Sequence, residues 1–298
     1  MPTFGTLIEQ IRHSLSGYDM EKDAVAALLT AMADDDLVVS IDDLSGVGKG
    51  IAEVDLEVLR VKQVDPQNSN LLLYPFGRGY RGTTATTHAV GSEVRMNPAW
   101  LASTIAREIN GVLDEIYPSV YAVKTQEFRF DARYGAVPLD DSAVGVISFW
   151  FEDWHLHPNQ WVRDDRWDYN PDASDVGYGL RVARGYTAVD RGRVVYATRP
   201  GKFDLAGSLD QDFAAVTGLD NRAADLMTLG VAYRMAPYID VGRLPFLSAS
   251  ARENQQLNPY RQNGGEVAKL LYSLFTKRLD QEAMVLAKEH PIRVHAVR

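Results

Sequence analysis

Asp153, His155 and His157 stand at alternate positions in FEDWHLHPNQW (151–161). On an extended strand, side chains two apart share a face. Two imidazoles with a carboxylate suit a divalent metal. Pro158 follows at once and interrupts strand geometry, so the competing reading is a polar loop in which tryptophans anchor the turn. The next residues, WVRDDRWDYNPDASD (161–175), set Asp164, Asp165 and Asp168 beside Trp161 and Trp167. Carboxylates with aromatic platforms are the tools of glycoside hydrolysis. That reaction needs two carboxylates facing each other across a cleft, which close sequence neighbours rarely supply. The competing reading is an exposed, turn-rich loop.

Two glycine-rich stretches raise the question of phosphate binding. In SGVGKGI (45–51), Lys49 is followed by Gly50, not by the Ser or Thr that would hold magnesium. Asp43 occupies the place of the first P-loop glycine, and the stretch runs toward a strand, so no helix N-terminus faces a phosphate. A hairpin turn is the better expectation. In GRGYRGTTATTHAVGSEVRMNP (77–98), Gly77, Gly79 and Gly82 satisfy G-x-G-x-x-G. No crossover helix follows directly and no acid lies about 20 residues on in a βαβ setting. The alternating threonines and valines predict a loop that re-enters a small sheet. Arg78, Arg81 and Arg95 are then candidates for pairing with acids of a neighbouring subunit.

Other chemistry lacks support. The chain has no cysteine, which excludes disulfides, thiolate metal sites and cysteine nucleophiles. It has no G-x-S-x-G, and His13, His88, His290 and His295 are isolated. The expectation is a protein that is not an enzyme, with no catalytic, cofactor-binding or metal residues and no cofactor.

The elements that would position these residues follow from periodicity. Leu7, Ile8, Ile11 and Leu15 predict a first helix, and Val25, Leu28, Leu29 and Met32 a second, with Asp19 as a partial cap and Lys22 where a capping-box Glu would stand. Segments 37–42, 52–64, 70–76 and 88–97 read as strands. Pro98 suits the first position of a helix striped by Leu101, Ile105, Ile109, Val112, Leu113 and Ile116. Residues 120–206 are aromatic, glycine-rich and alternating, which predicts a β-sandwich or barrel-like domain. Helical spacing returns over 218–237 and over 264–290, the latter through Val267, Leu270, Leu271, Leu274, Leu279 and Leu286. The fold expectation is α+β: a helical bundle (1–36, 97–118 and 218–290), a small β subdomain (37–96), a larger sandwich-like β insertion (119–217) and an extended tail (291–298).

The formal net charge is −9, without the overall basicity of a DNA-gripping protein. The start lacks the apolar run of a secretory signal and no run approaches a membrane span, which predicts a soluble chain made in a cytoplasm.

The stretch GRGYRGTTATTHAVGSEVRMNPAWLASTIAREINGVLDEIYP (77–118) resembles a segment of the connector (neck) proteins of tailed phages that infect actinobacteria. Its marks are the Gly/Arg turn, the Thr-rich strand ending in His88, Asn97-Pro98, Ile109-Asn110 and Tyr117-Pro118. AADLMTLGVAYRMAPY (223–238) and RLDQEAMVLAKEHPIRVH (278–295) resemble the same group. The resemblance covers both ends well and the aromatic β region poorly. It implies a structural virion protein of the neck: a head-to-tail adaptor forming a ring, of about twelve copies, beneath the portal protein. Such a ring extends the channel for double-stranded DNA, serves genome ejection, and docks the next neck or tail component. In related adaptors a C-terminal tail docks on the portal, which makes His290, Arg293, His295 and Arg298 interface candidates alongside the three loop arginines. The alternatives are another neck or tail component, a stopper or tail-completion protein, or a carbohydrate-binding or hydrolytic protein using residues 150–175.

Overall fold

The computed structural model describes residues 2–16, 23–130, 136–137, 139–152, 160–169, 179–182, 191–241 and 264–292. The chain is α+β and divides into two compact units: residues 1–113, 202–216 and 221–276, and residues 114–201, 217–220 and 277–298. Among the described residues, no helix is long and apolar enough to cross a membrane.

In the first unit six strands curl into a closed antiparallel sheet. They are β1 (Ala24–Ala27), β2 (Val38–Ser40), β3 (Gly50–Val54), β4 (Glu57–Asp65), β5 (Asn70–Leu73) and β6 (Glu93–Met96), in the order β1-β6-β3-β4-β5-β2. The two ends of that order meet. Leu29 donates its N–H to the Ser40 carbonyl at 2.9 Å, and Asp42 donates to the Ala27 carbonyl at 3.0 Å. Closure leaves no unpaired sheet edge at the seam. Leu28, Val39, Ile41, Val54, Leu59, Leu71 and Val94 fill the interior.

Strand β1 corrects the reading of residues 19–33 as a helix. Val25, Leu28, Leu29 and Met32 do fit a helical stripe, yet burial here has period two: Ala26 and Leu28 face in, Val25 and Leu29 face out. The pairing of β1 with β6 decides it, since tertiary partners override a weak local preference. Asp19 and Lys22, the expected cap, lie outside the described residues. The predicted strand 52–64 is a hairpin, β3 and β4, turning at Asp55, which adopts a left-handed φ of 54°.

The helices of this unit are α1 (Phe4–Ser16), α2 (Ala102–Ile116, its last turn counted with the second unit), α3 (Phe213–Thr217), α4 (Ala224–Val241) and the first half of α5 (Gly264–Glu289). The α2 helix begins four residues after Pro98. Asn97 bends the chain with φ 47°, and its Oδ1 accepts the Ile51 N–H at 2.9 Å, so the β6 exit is pinned before the helix can start. Phe4 stacks on Phe203 with ring centroids 4.1 Å apart. Gly230 lets α4 approach α2 closely: a Cβ there would lie 2.6 Å from Val112 Cγ1.

In the second unit a four-stranded sheet runs β10 (Trp161–Asp164), β9 (Ala143–Glu152), β13 (Arg191–Thr198), β7 (Ala122–Arg129). A three-stranded sheet runs β11 (Trp167–Tyr169), β12 (Leu180–Val182), β8 (Ala136–Val137). Both sheets contribute to one core, with Phe149, Phe151, Val194 and Tyr196 from the first and Trp167, Leu180 and Val182 from the second. Tyr121, Ile147 and Ala197 form a smaller cluster that Leu286 of α5 joins.

Candidate functional site

The loop between β5 and β6 is assembled around one buried carboxylate. Glu57 opens β4 and is enclosed. Arg78 grips it with two parallel bonds, Nε to Oε1 at 2.7 Å and Nη2 to Oε2 at 2.9 Å, the bidentate geometry that a planar guanidinium favours. The backbone N–H groups of Gly79 and Thr86 donate to the same two oxygens at 2.9 and 3.1 Å. His88 Nε2 lies 2.9 Å from Glu57 Oε2, and its Nδ1 lies 2.6 Å from Asp55 Oδ2. Arg78 also donates to the carbonyls of Thr86, at 2.7 Å, and of Ala33. Residues 77–88, largely without ladder pairing, are thereby tied to β4 and to the chain before β2. Gly77 sits against this anchor, where a Cβ would fall 2.8 Å from the carbonyl oxygens of Arg60 and Tyr74.

The charges are consistent with the geometry. Burial alone would raise the Glu57 carboxyl, but Arg78, His88 and the two backbone donors overcome it and hold it down at about 2. Burial would likewise lower His88, but Asp55 and Glu57 raise it to about 9, so the ring is an imidazolium at neutral pH. Both groups are spent on each other inside the protein. The arrangement clasps residues 77–88 to β4.

A second buried ion pair lies nearby. Glu53 of β3 accepts from Arg12 of α1 and, at 2.6 Å, from the N–H of Ala102, the first residue of α2. A carboxylate at a helix N-terminus satisfies an orphan donor and meets the positive end of the dipole. Burial pushes Glu53 up to about 7 against the opposing pull of Arg12 and the Ala102 N–H. Arg12, Glu53 and Arg95 line a cleft of about 260 Å³.

The residues singled out by their sequence pattern fall as follows. Arg78 is turned inward, so its guanidinium holds the loop and is not offered to a neighbour. Arg81 is exposed, with a left-handed φ of 58° in a short 3-10 turn. Arg95 is partly covered and pairs with Glu93 and, at 2.9 Å, with Glu9. His290 is half-buried, and its carbonyl accepts the Tyr121 hydroxyl at 2.7 Å. Arg293, His295 and Arg298 lie outside the described residues, as do Asp153, His155 and His157. Trp167 is fully buried in the core of the second unit and offers no face to a sugar. Trp161 lies under the Arg193 guanidinium, 4.1 Å from ring centroid to Cζ. Asp164 is buried and accepts the Arg166 N–H at 2.9 Å, and Asp165 pairs with Arg163 at 3.0 Å. Ser45 and Gly46 make a turn in the connection from β2 to β3, which Gly50 opens; β2 and β3 do not pair with each other, so SGVGKGI is a crossing loop and not the hairpin turn its pattern predicts.

The pattern reading missed Glu53, Asp55 and Glu57. They are the polar partners that alternate with Val54, Leu56 and Val58 in the predicted strand 52–64. The available signal was a set of three acids at alternate positions, with an Arg- and His-bearing loop following.

The titrations give a signed expectation. Glu57 contributes stability that is present above 4.5 and lost as pH falls through about 2. His88 contributes stability that is complete below 6.5 and lost as pH rises through about 9. Glu53 acts in the same sense as His88, its share being lost as pH rises through about 7. Urea midpoints measured across pH should therefore decline on the alkaline side. The part of the decline between about 7 and 9 should vanish in His88→Gln.

A scan of the chain against protein-family models finds no match, and a search of the curated proteins finds none.

Proposed function

We propose that the chain is a structural virion protein of a tailed-phage neck: a head-to-tail adaptor that assembles as a closed ring beneath the portal. In this reading the ring continues the DNA channel and docks the next component, a stopper, at its far side. Its helices form a bundle that carries the small β barrel and the larger sandwich-like β region as insertions. Double-stranded DNA passes without sequence-specific binding, because a chain of net charge −9 has little to release from phosphates. The protein resides in the virion after assembly in the host cytoplasm.

The observation that carries this reading is the loop 77–91. It is irregular, yet locked from beneath by the Glu57 clasp, while Arg81, Val90 and the adjoining Phe76, 90% exposed, are presented to solvent. Preorganising a loop lowers the ordering cost of an interface, and an exposed aromatic at its edge is the kind of anchor interfaces use. The resemblance over 77–118 falls on this same stretch. The C-terminal tail is the second proposed contact, reaching the portal by adding to a sheet edge.

Negative-stain images of the purified chain should show rings of uniform diameter. A monomer at every concentration, with portal present or absent, would overturn the reading.

A further inference from the structure

The last helix carries apolar surface that the described residues leave open. Along α5, Val267, Phe275 and Glu282 face inward. Beside that face, Leu270, Leu274, Lys277, Gln281, Met284 and Lys288 follow the helical rhythm i, i+4, i+7, i+11, i+14, i+18, and all six are exposed. Leu270 is 58% and Met284 72% open to solvent. Single exposed leucines are ordinary on a protein surface, but here Leu270, Leu274 and Met284 recur along one helix face, with Lys277 and Gln281 between them, which suits a mixed apolar and polar contact. This stripe holds two lysines and no carboxylate, although the whole chain is acidic.

A matching surface of opposite charge lies at the barrel seam. Leu29, Leu37 and Val38 are exposed there, and Asp34 and Asp35 stand exposed immediately before β2. The seam is apolar and acidic, and the stripe is apolar and basic. We infer that the α5 stripe docks on the barrel seam of a second copy of this chain. The inference rests on the ring reading and specifies its subunit contact. Two unlike patches make a head-to-tail contact, the type that closes into a ring. Stripe against stripe would set lysines against a face without acids, which charge complementarity disfavours.

The test uses the full chain and its assembly state by sedimentation velocity. Lys277→Glu with Lys288→Glu reverses the stripe, and Asp34→Lys with Asp35→Lys reverses the seam. Each double variant alone should self-associate at least about tenfold more weakly than the wild type. Mixed in equal amounts, the two should assemble again, because each reversed patch then meets a reversed partner. That rescue separates a lost contact from a lost fold. Wild-type assembly by the stripe variant, or a mixture that stays dissociated, overturns the inference while leaving the ring reading intact. A stripe variant that keeps its rings but no longer binds portal or DNA assigns the stripe to that partner and also overturns it. A wild type that never assembles removes both.

Discussion

Replacing Arg78 by alanine is expected to destabilise the protein by about 3–5 kcal/mol, the range for removing one partner of a buried ion pair. The carboxylate left behind is the reason. Glu57 has no exposed side-chain surface, and without Arg78 it keeps two backbone N–H donors and His88 but loses its bidentate partner. Arg78 also satisfies the carbonyls of Ala33 and Thr86, so the substitution releases three segments together. Urea denaturation of Arg78→Ala against wild type measures the loss. Arg81→Ala, in the same loop but exposed, should change stability by less than about 0.5 kcal/mol. Substituting both clasp partners, Glu57→Leu with Arg78→Met, should cost less than the sum of Glu57→Leu and Arg78→Met made singly, since neither partner of the pair is then left opposite an unmatched charge. A loss below about 1 kcal/mol for Arg78→Ala would mean the clasp does not hold the loop.

Trp167→Ala should be comparably severe, about 3–5 kcal/mol. The indole is fully enclosed among residues of both sheets of the second unit, so its removal leaves a cavity where two sheets meet. Trp161→Ala, at a half-buried position beneath Arg193, should cost about 1 kcal/mol or less, the usual scale of a cation–π contact near solvent. Thermal melts of the two variants distinguish a core tryptophan from a surface one. Equal, small losses for both would return Trp167 to the surface.

The contrast between these two tryptophans shows what a single sequence can carry. WVRDDRWDY reads as an exposed aromatic loop because acids and arginines surround both rings, yet β11 pairing places Trp167 inward. Period-two alternation made the β subdomain legible over 37–96, and the apolar stripe made α2 legible. The strand at Ala24–Ala27 was not legible, because AVAALLTAM satisfies helical spacing equally well and its partner is about 70 residues away. The clasp was half legible. The Gly/Arg/Thr loop drew notice as a contact surface, and Arg81 is exposed as that requires, but Arg78 is spent inside. Its three acids were hidden because a charged residue on a strand is ordinarily assigned to solvent. On α5, Leu270 and Leu274 fit the helical period that predicts the helix, yet both are exposed. Periodicity identifies an apolar face but not whether the chain's own residues or another copy's cover it.

The central claim is that this chain is a ring-forming adaptor of a phage neck. The most direct measurement is the mass of the complex formed when the purified chain is mixed with rings of the portal protein proposed as its partner. The claim predicts a single species heavier than the portal by about twelve copies of the 33.1 kDa chain. A portal of unchanged mass beside free 33.1 kDa monomer would contradict it.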